Sequence, residues 1–181
     1  MALGATLHNF DVALSDVDRG VYEQLALKAA RHPSESEDYF LTRIVAYCLE
    51  YTDGIAFSKG GLSDPDEPAL TVKDLTGAWK SWIEVGAPDA ARLHFASKAS
   101  PRVALYSAKE PRILLRGYEG QKIHKATQIE IFAMDRDLLE ALAGHLDRRT
   151  TWALSVTDGQ LYMDVGRASY TGTVERLALP A

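Results

Sequence analysis

A single cysteine, Cys48, stands in this chain of 181 residues, so no disulfide can close within it. That excludes the small stapled folds and agrees with a reducing compartment. No apolar run approaches the length of a membrane span. The first ten residues, Met-Ala-Leu-Gly-Ala-Thr-Leu-His-Asn-Phe, lack a basic start and any signal-peptide core. A soluble, cytoplasmic protein is therefore expected. Glycine-rich phosphate loops, dinucleotide fingerprints and zinc patterns are missing, as are repeats, low-complexity tracts and linkers. Positive charge is also in deficit, with 20 Lys and Arg against 25 Asp and Glu and a net charge of −5. Nothing in that total favours nucleic acid as a partner, so such binding requires a local basic patch.

What remains is ordinary for a globular protein, 46% hydrophobic and 25% charged, read as a single domain over residues 1–181. Residues 4–15 alternate loosely and predict a strand, with a turn at Asp16–Gly20. Residues 21–30 are open between strand and helix, because Ala and Leu favour helix. Ser34 and Glu37 make a capping box, and the following helix carries Leu41, Ile44, Val45, Cys48 and Leu49 on one stripe to about Tyr51. Short strands are expected at 54–59, 67–73 and 79–86, the last two joined at Thr76-Gly77. A helix from Pro88-Asp89 to about Ala99 and a strand at 102–107 follow. Further on come a strand at 128–134, a helix at 135–147, a hairpin at 152–165 turning on Asp158-Gly159, and a closing strand at 174–179. The expectation is an α+β fold, a mixed sheet flanked by helices.

One constellation carries chemistry. An acidic cluster, Asp64-Pro-Asp-Glu-Pro68, opens one strand and Glu84 lies near the end of the next. In a hairpin, Asp66 or Glu67 comes beside Glu84, a set of oxygen ligands suited to Mg²⁺. Alternate strand residues face opposite sides, so only one of Asp66 and Glu67 faces the metal. Lys73, six residues further along an extended strand, lies roughly 20 Å away. An acidic surface loop accounts for the same run equally well.

The order helix, three strands, helix, strand over residues 34–107, with acid on the second and third strands, resembles the PD-(D/E)XK nuclease core. More closely, the chain resembles the bacterial YaeQ family through Arg31-His-Pro-Ser-Glu35, Gly61-Leu-Ser-Asp64, Asp66-Glu-Pro68, Lys73-Asp-Leu-Thr-Gly77 and Trp82-Ile-Glu-Val-Gly86. The nuclease pattern implies an acid, then Glu, one residue, and Lys, but here Glu84 is followed by Val85 and Gly86. The resemblance thus implies a borrowed lysine, with Lys59 preferred and Lys98 the other candidate. It also implies a further acid from the first helix, Glu35 or Glu37. Under this reading one or two Mg²⁺ ions, held by Glu84 with Asp66 or Glu67, polarise a phosphodiester and activate water, with Lys59 on the phosphate oxygens.

Plainer readings stand beside these. Glu37 serves first as capping-box partner, and Glu35 complements the helix dipole. Four of the histidines, His32, His94, His124 and His145, lack ligand spacing, and Cys48 belongs to the core. Residues 109–125 carry Lys109, Arg112, Arg116, Lys122 and Lys125 against Glu110 and Glu119. A solvated helix face is the preferred explanation there, and a phosphate-contacting patch the alternative. Three functions follow: a divergent Mg²⁺-dependent nuclease or phosphodiesterase, a non-catalytic nuclease-fold module that binds nucleic acid or protein in a transcription-related role, and a small-molecule phosphoesterase.

Overall fold

In the computed structural model, residues 4–59 and 64–179 are described. Two strands of eleven residues, β1 (Thr6–Asp16) and β2 (Val21–Arg31), pair antiparallel from Thr6↔Arg31 to Asp16↔Val21. Leu25, Leu27 and Ala29 are buried at every second position of β2. That two-residue period resolves the choice between strand and helix, since packing on one face overrides the helix preference of Ala and Leu. The helix α1 (Glu37–Leu49) follows, then β3 (Ile55–Phe57), β4 (Leu70–Lys73), β5 (Trp79–Val85), α2 (Ala90–Ala99), β6 (Val103–Ser107), α3 (Pro111–Arg116) and β7 (Glu130–Met134). The chain ends with α4 (Arg136–Ala143), β8 (Arg149–Thr157), β9 (Gln160–Val165) and β10 (Ala168–Leu177). Asp158 and Gly159 both take positive φ, 52° and 72°, which is what a type I′ turn between β8 and β9 demands.

Among the described residues all ten strands form one sheet in the order β2-β1-β8-β9-β10-β7-β6-β5-β4-β3. The β1–β8, β5–β6 and β6–β7 pairs are parallel and the other pairs antiparallel, so the fold is mixed α+β as expected. The sheet curls around α1. Residues 40–46 of that helix are all buried, seven in succession, which is two full turns with no solvent side. The apolar stripe expected from the sequence is thus one part of a fully enclosed helix.

Inner-face residues Phe10, Val12, Ile83, Val85, Trp152 and Leu154 pack around it together with Leu138 and Leu142 of α4. The outer face of β5–β7 carries Trp82, Leu105 and Ile131, covered by Leu93 of α2 and Leu114 and Tyr118 around α3. The edge strands β2 and β3 both reach one cleft over the N-terminal end of α1, which marks the seam where the sheet does not close.

Several boundaries differ from expectation. Ser36, not Ser34, caps α1, its side chain accepting from the Tyr39 N–H at 3.1 Å, and Glu37 is therefore an exposed first helical residue. The strand expected from 67 starts only at Leu70. The α4 helix stops at Ala143, ahead of Gly144, and the closing strand begins at Ala168, as the third strand of a meander.

Burial pushes the Cys48 thiol up to about 12 from its ordinary value of 9.0. Folding therefore favours the protonated thiol. Its contribution is complete below pH 9 and is lost as pH rises through about 12. Modification of Cys48 by a thiol reagent at pH 8 is expected to proceed only at the rate of global unfolding; rapid reaction of the native protein would show that α1 is not enclosed.

Candidate functional site

Alternation along β5 places Ile83 and Val85 toward α1 and places Trp82 and Glu84 outward, under α2. Glu84 is 6% exposed, and its Oε1 accepts from the Trp82 indole at 2.6 Å and from Arg92 Nε at 2.7 Å. Arg92 comes from the first turn of α2, where Asp89 is the N-cap and accepts from the Arg92 N–H at 2.8 Å. Its Nη1 donates to the carbonyls of Asp64 (2.8 Å) and Pro65 (2.9 Å), and its Nη2 to that of Glu67 (2.7 Å). The hairpin therefore does bring Glu84 beside residues 64–67, and a guanidinium lies between them.

The side chains of the acidic run turn elsewhere. Asp66 is exposed, and the Asp64 carboxylate accepts from its N–H at 2.8 Å. Glu67 accepts from Ser58 Oγ and from Lys73 Nζ, each at 3.4 Å. Lys73 is thus a neighbour of Glu67, not a residue roughly 20 Å off. The extended-strand distance fails because β4 is only four residues long and the chain before it bends back. Lys59 follows Ser58 beyond β3 at the Glu67 end of β4, as the antiparallel β3–β4 pairing implies, and is exposed. Residues Gly61, Leu62 and Ser63 of the quoted motif lie outside the described residues. Lys98 sits six residues beyond Arg92, about 9 Å along the helix, in the last turn of α2.

Arg31-His-Pro-Ser-Glu35 forms a closed turn. The Glu35 carboxylate, 5% exposed, accepts from the His32 N–H at 3.0 Å and from Arg43 Nη2 at 3.0 and 3.2 Å. Arg43 Nη2 also donates to the Ala30 carbonyl at 2.7 Å, while Arg31 holds the Glu35 carbonyl at 3.1 Å. This pair lines the seam cleft, a space of about 420 Å³ that also receives His32, Tyr39 and Lys59. Burial pushes the Tyr39 hydroxyl up to about 12, with Arg43 and Arg92 opposing and Glu35 and Glu84 reinforcing. The Tyr39 ring also explains the glycine that ends Trp82–Gly86: Gly86 has φ +99°, and a Cβ there would lie 3.0 Å from the ring.

The acids expected to hold Mg²⁺ do not converge. Glu35 is paired with Arg43, Glu37 is exposed, Glu67 faces Lys73, and Glu84 is held by Arg92. Among the described residues no group of three His, Cys, Asp or Glu side chains is arranged to hold a cation. These residues do not fit a resident Mg²⁺. Arg92 was missed from the sequence, yet it carried a signal. A cation in the first turn of a helix opposes the macrodipole, a cost that a nearby carboxylate offsets.

Removing one member of a buried ion pair costs about 3–5 kcal/mol, because the other is left uncompensated. Arg92→Met is expected to destabilise by that amount in denaturant unfolding. The double variant with Glu84→Gln should be more stable than the sum of the singles by about 1–3 kcal/mol; strict additivity would contradict the pairing.

Comparison with other proteins places this geometry. The family described as "YaeQ protein" matches residues 1–174. The curated "Uncharacterized protein YaeQ" of Salmonella typhi is 29% identical over 169 residues, 92% of each chain. Its Escherichia coli K12 counterpart is 28% identical over 165 residues, 90% of each. The crystal structure of YaeQ protein from Pseudomonas syringae is similar with a TM-score of 0.85 at 34% identity, covering 96% of both chains. That from Xanthomonas axonopodis pv. citri has a TM-score of 0.87 at 28% identity, covering 97% of this chain and 99% of that one. Sequence and fold agree along nearly the whole length, and the chain belongs to the YaeQ family.

Proposed function

We propose that this protein binds nucleic acid non-catalytically, through the basic layer outside β6 and β7, on a scaffold related to the PD-(D/E)XK core. Supporting the scaffold is the order α1-β3-β4-β5-α2-β6, which repeats helix, three strands, helix, strand. The observation that carries the binding reading is the state of residues 109–125. Lys109, Arg112, Arg116, Lys122 and Lys125 are all exposed, and none forms an ion pair among the described residues. A solvated helix face accounts for only part of this, because α3 ends at Arg116 and Lys122 and Lys125 lie on the turn segment beyond it. Leu114 and Tyr118 anchor the segment to the sheet, and Tyr118 donates its hydroxyl to the Pro88 carbonyl at 2.8 Å. Five unneutralised cations on an anchored surface suit a row of phosphates, in a chain whose net charge is otherwise −5.

The metal-dependent reading, a nuclease, phosphodiesterase or small-molecule phosphoesterase, is supported by the nearness of Glu84 to residues 64–67. It requires Glu84 to release Arg92 before any cation can reach it, and the binding reading requires no such rearrangement.

Fluorescence anisotropy with labelled single- and double-stranded DNA and RNA oligonucleotides tests the proposal. With three to five phosphate contacts, affinity should fall roughly 40- to 500-fold between about 50 and 200 mM salt. Arg116→Ala with Lys122→Ala should weaken binding at least about tenfold and flatten the salt dependence by about two contacts. No binding of any oligonucleotide at low salt, or equal binding by the variant, would overturn it.

A further inference from the structure

The seam cleft contains a buried cation whose hydrogen-bond donors its neighbours only partly fill. We infer that this cleft binds a small organic carboxylate, with its headgroup at Arg43 and Tyr39 and its body along the apolar wall. The space, about 420 Å³, falls within the range of small-molecule sites.

Arg43 is 8% exposed, and Glu35 balances its charge. Its donors are less well served. Among the described residues, every hydrogen bond to this guanidinium falls on Nη2, which donates to Ala30 and Glu35. Nε is buried without a partner. Nη1 also lacks one among the described residues but, unlike Nε, is not sealed from solvent, so it opens on the cleft that Arg43 lines. The rings of Phe40 and Phe57, 5.3 and 5.4 Å away, offer no oxygen acceptor. A donor left unfilled in such surroundings is costly, the more so on a charged group.

The Tyr39 hydroxyl is the second donor. It belongs to the same cleft and has no hydrogen-bond partner among the described residues. Burial raises its pKa to about 12, so it keeps its proton at neutral pH. Of the surrounding charges Arg43 acts on it most strongly, which puts the two donors near one another. Two neighbouring donors match the two oxygens of a carboxylate.

The charge around them agrees. Lys28 and Lys59 line the cleft, exposed and without an ion pair among the described residues, and Glu35 is the one acid on its wall. A cation is repelled here, and a neutral apolar molecule leaves Arg43 unfilled. A phosphate dianion sets a second negative charge against Glu35, which lies within 3.2 Å of the same guanidinium. Leu7, Ala29, Phe57 and Ala69 complete the lining, so the favoured ligand carries a hydrocarbon body. Apart from the protein itself, nothing is shared with the basic layer at residues 109–125, and either reading can fail without the other.

Calorimetry and amide NMR titrations with 3-phenylpropionate and hexanoate, set against phenethylamine and phenyl phosphate, decide the matter. At least one carboxylate should bind saturably with Kd below about 1 mM, shifting the amides of Ala30, Tyr39 and Phe57, and phenethylamine should not. Tyr39→Phe removes a hydroxyl that no described protein group uses, so it should fold normally and weaken the carboxylate about fivefold or more. Arg43→Lys keeps a cation beside Glu35 but removes the Nε and Nη1 donors, and should weaken it about tenfold or more. Should Arg43→Lys fail to give a folded spectrum, Tyr39→Phe alone decides. No saturable carboxylate binding, equal binding of phenethylamine, tighter binding of phenyl phosphate, or unchanged affinity in Tyr39→Phe would overturn the inference.

Discussion

A helix buried for seven consecutive residues has no free side, and the architecture follows from enclosing it. One flat sheet covers one face of a helix; a sheet curled around α1, with α4 packed against it, covers every face. The sheet cannot also cover the two ends, where backbone groups and flanking charges need partners. At the N-terminal end Glu35 and Arg43 compensate each other beside the open seam. At the C-terminal end Arg19 takes the carbonyls of Cys48 and Tyr51, and Glu50 pairs with Arg102. The seam cleft lies at the first of these two ends.

Arginine performs the neutralisation at each place. Its planar fork spans a carboxylate and several carbonyls at once, which lysine's point charge cannot do. Arg92 is the fullest case, joining Glu84 to three carbonyls of the 64–67 segment and so fixing the approach to β4. The segment expected to supply metal ligands is thereby held by a guanidinium. Fold likeness by itself does not transfer an activity, because activity resides in the site.

Much of the local structure was legible. The period-two pattern of β1, the Asp158-Gly159 turn, the β4–β5 hairpin and the start of α2 at Asp89 all follow from near neighbours in sequence. The cap of α1 was not, because Ser34 and Ser36 are both competent. The long-range pair of Glu35 with Arg43 draws residues 34 and 35 into the turn and leaves Ser36 to cap. The joining of the strands into one curled sheet was hidden for a similar reason. It depends on the parallel pairing of β1 with β8, Asn9 opposite Arg149, a contact that no local pattern announces. At the candidate site the sequence located Glu84 and its neighbours correctly and missed the charge between them. Three carbonyl acceptors and one carboxylate converging on Arg92 are a tertiary property.

The most direct measurement is a calorimetric titration of Mn²⁺ into wild type, Arg92→Ala and Glu84→Gln, each verified as folded. The guanidinium account predicts no saturable binding to wild type up to about 10 mM metal. Saturable binding to wild type that disappears in Glu84→Gln would contradict it and restore the acidic hairpin as a metal site.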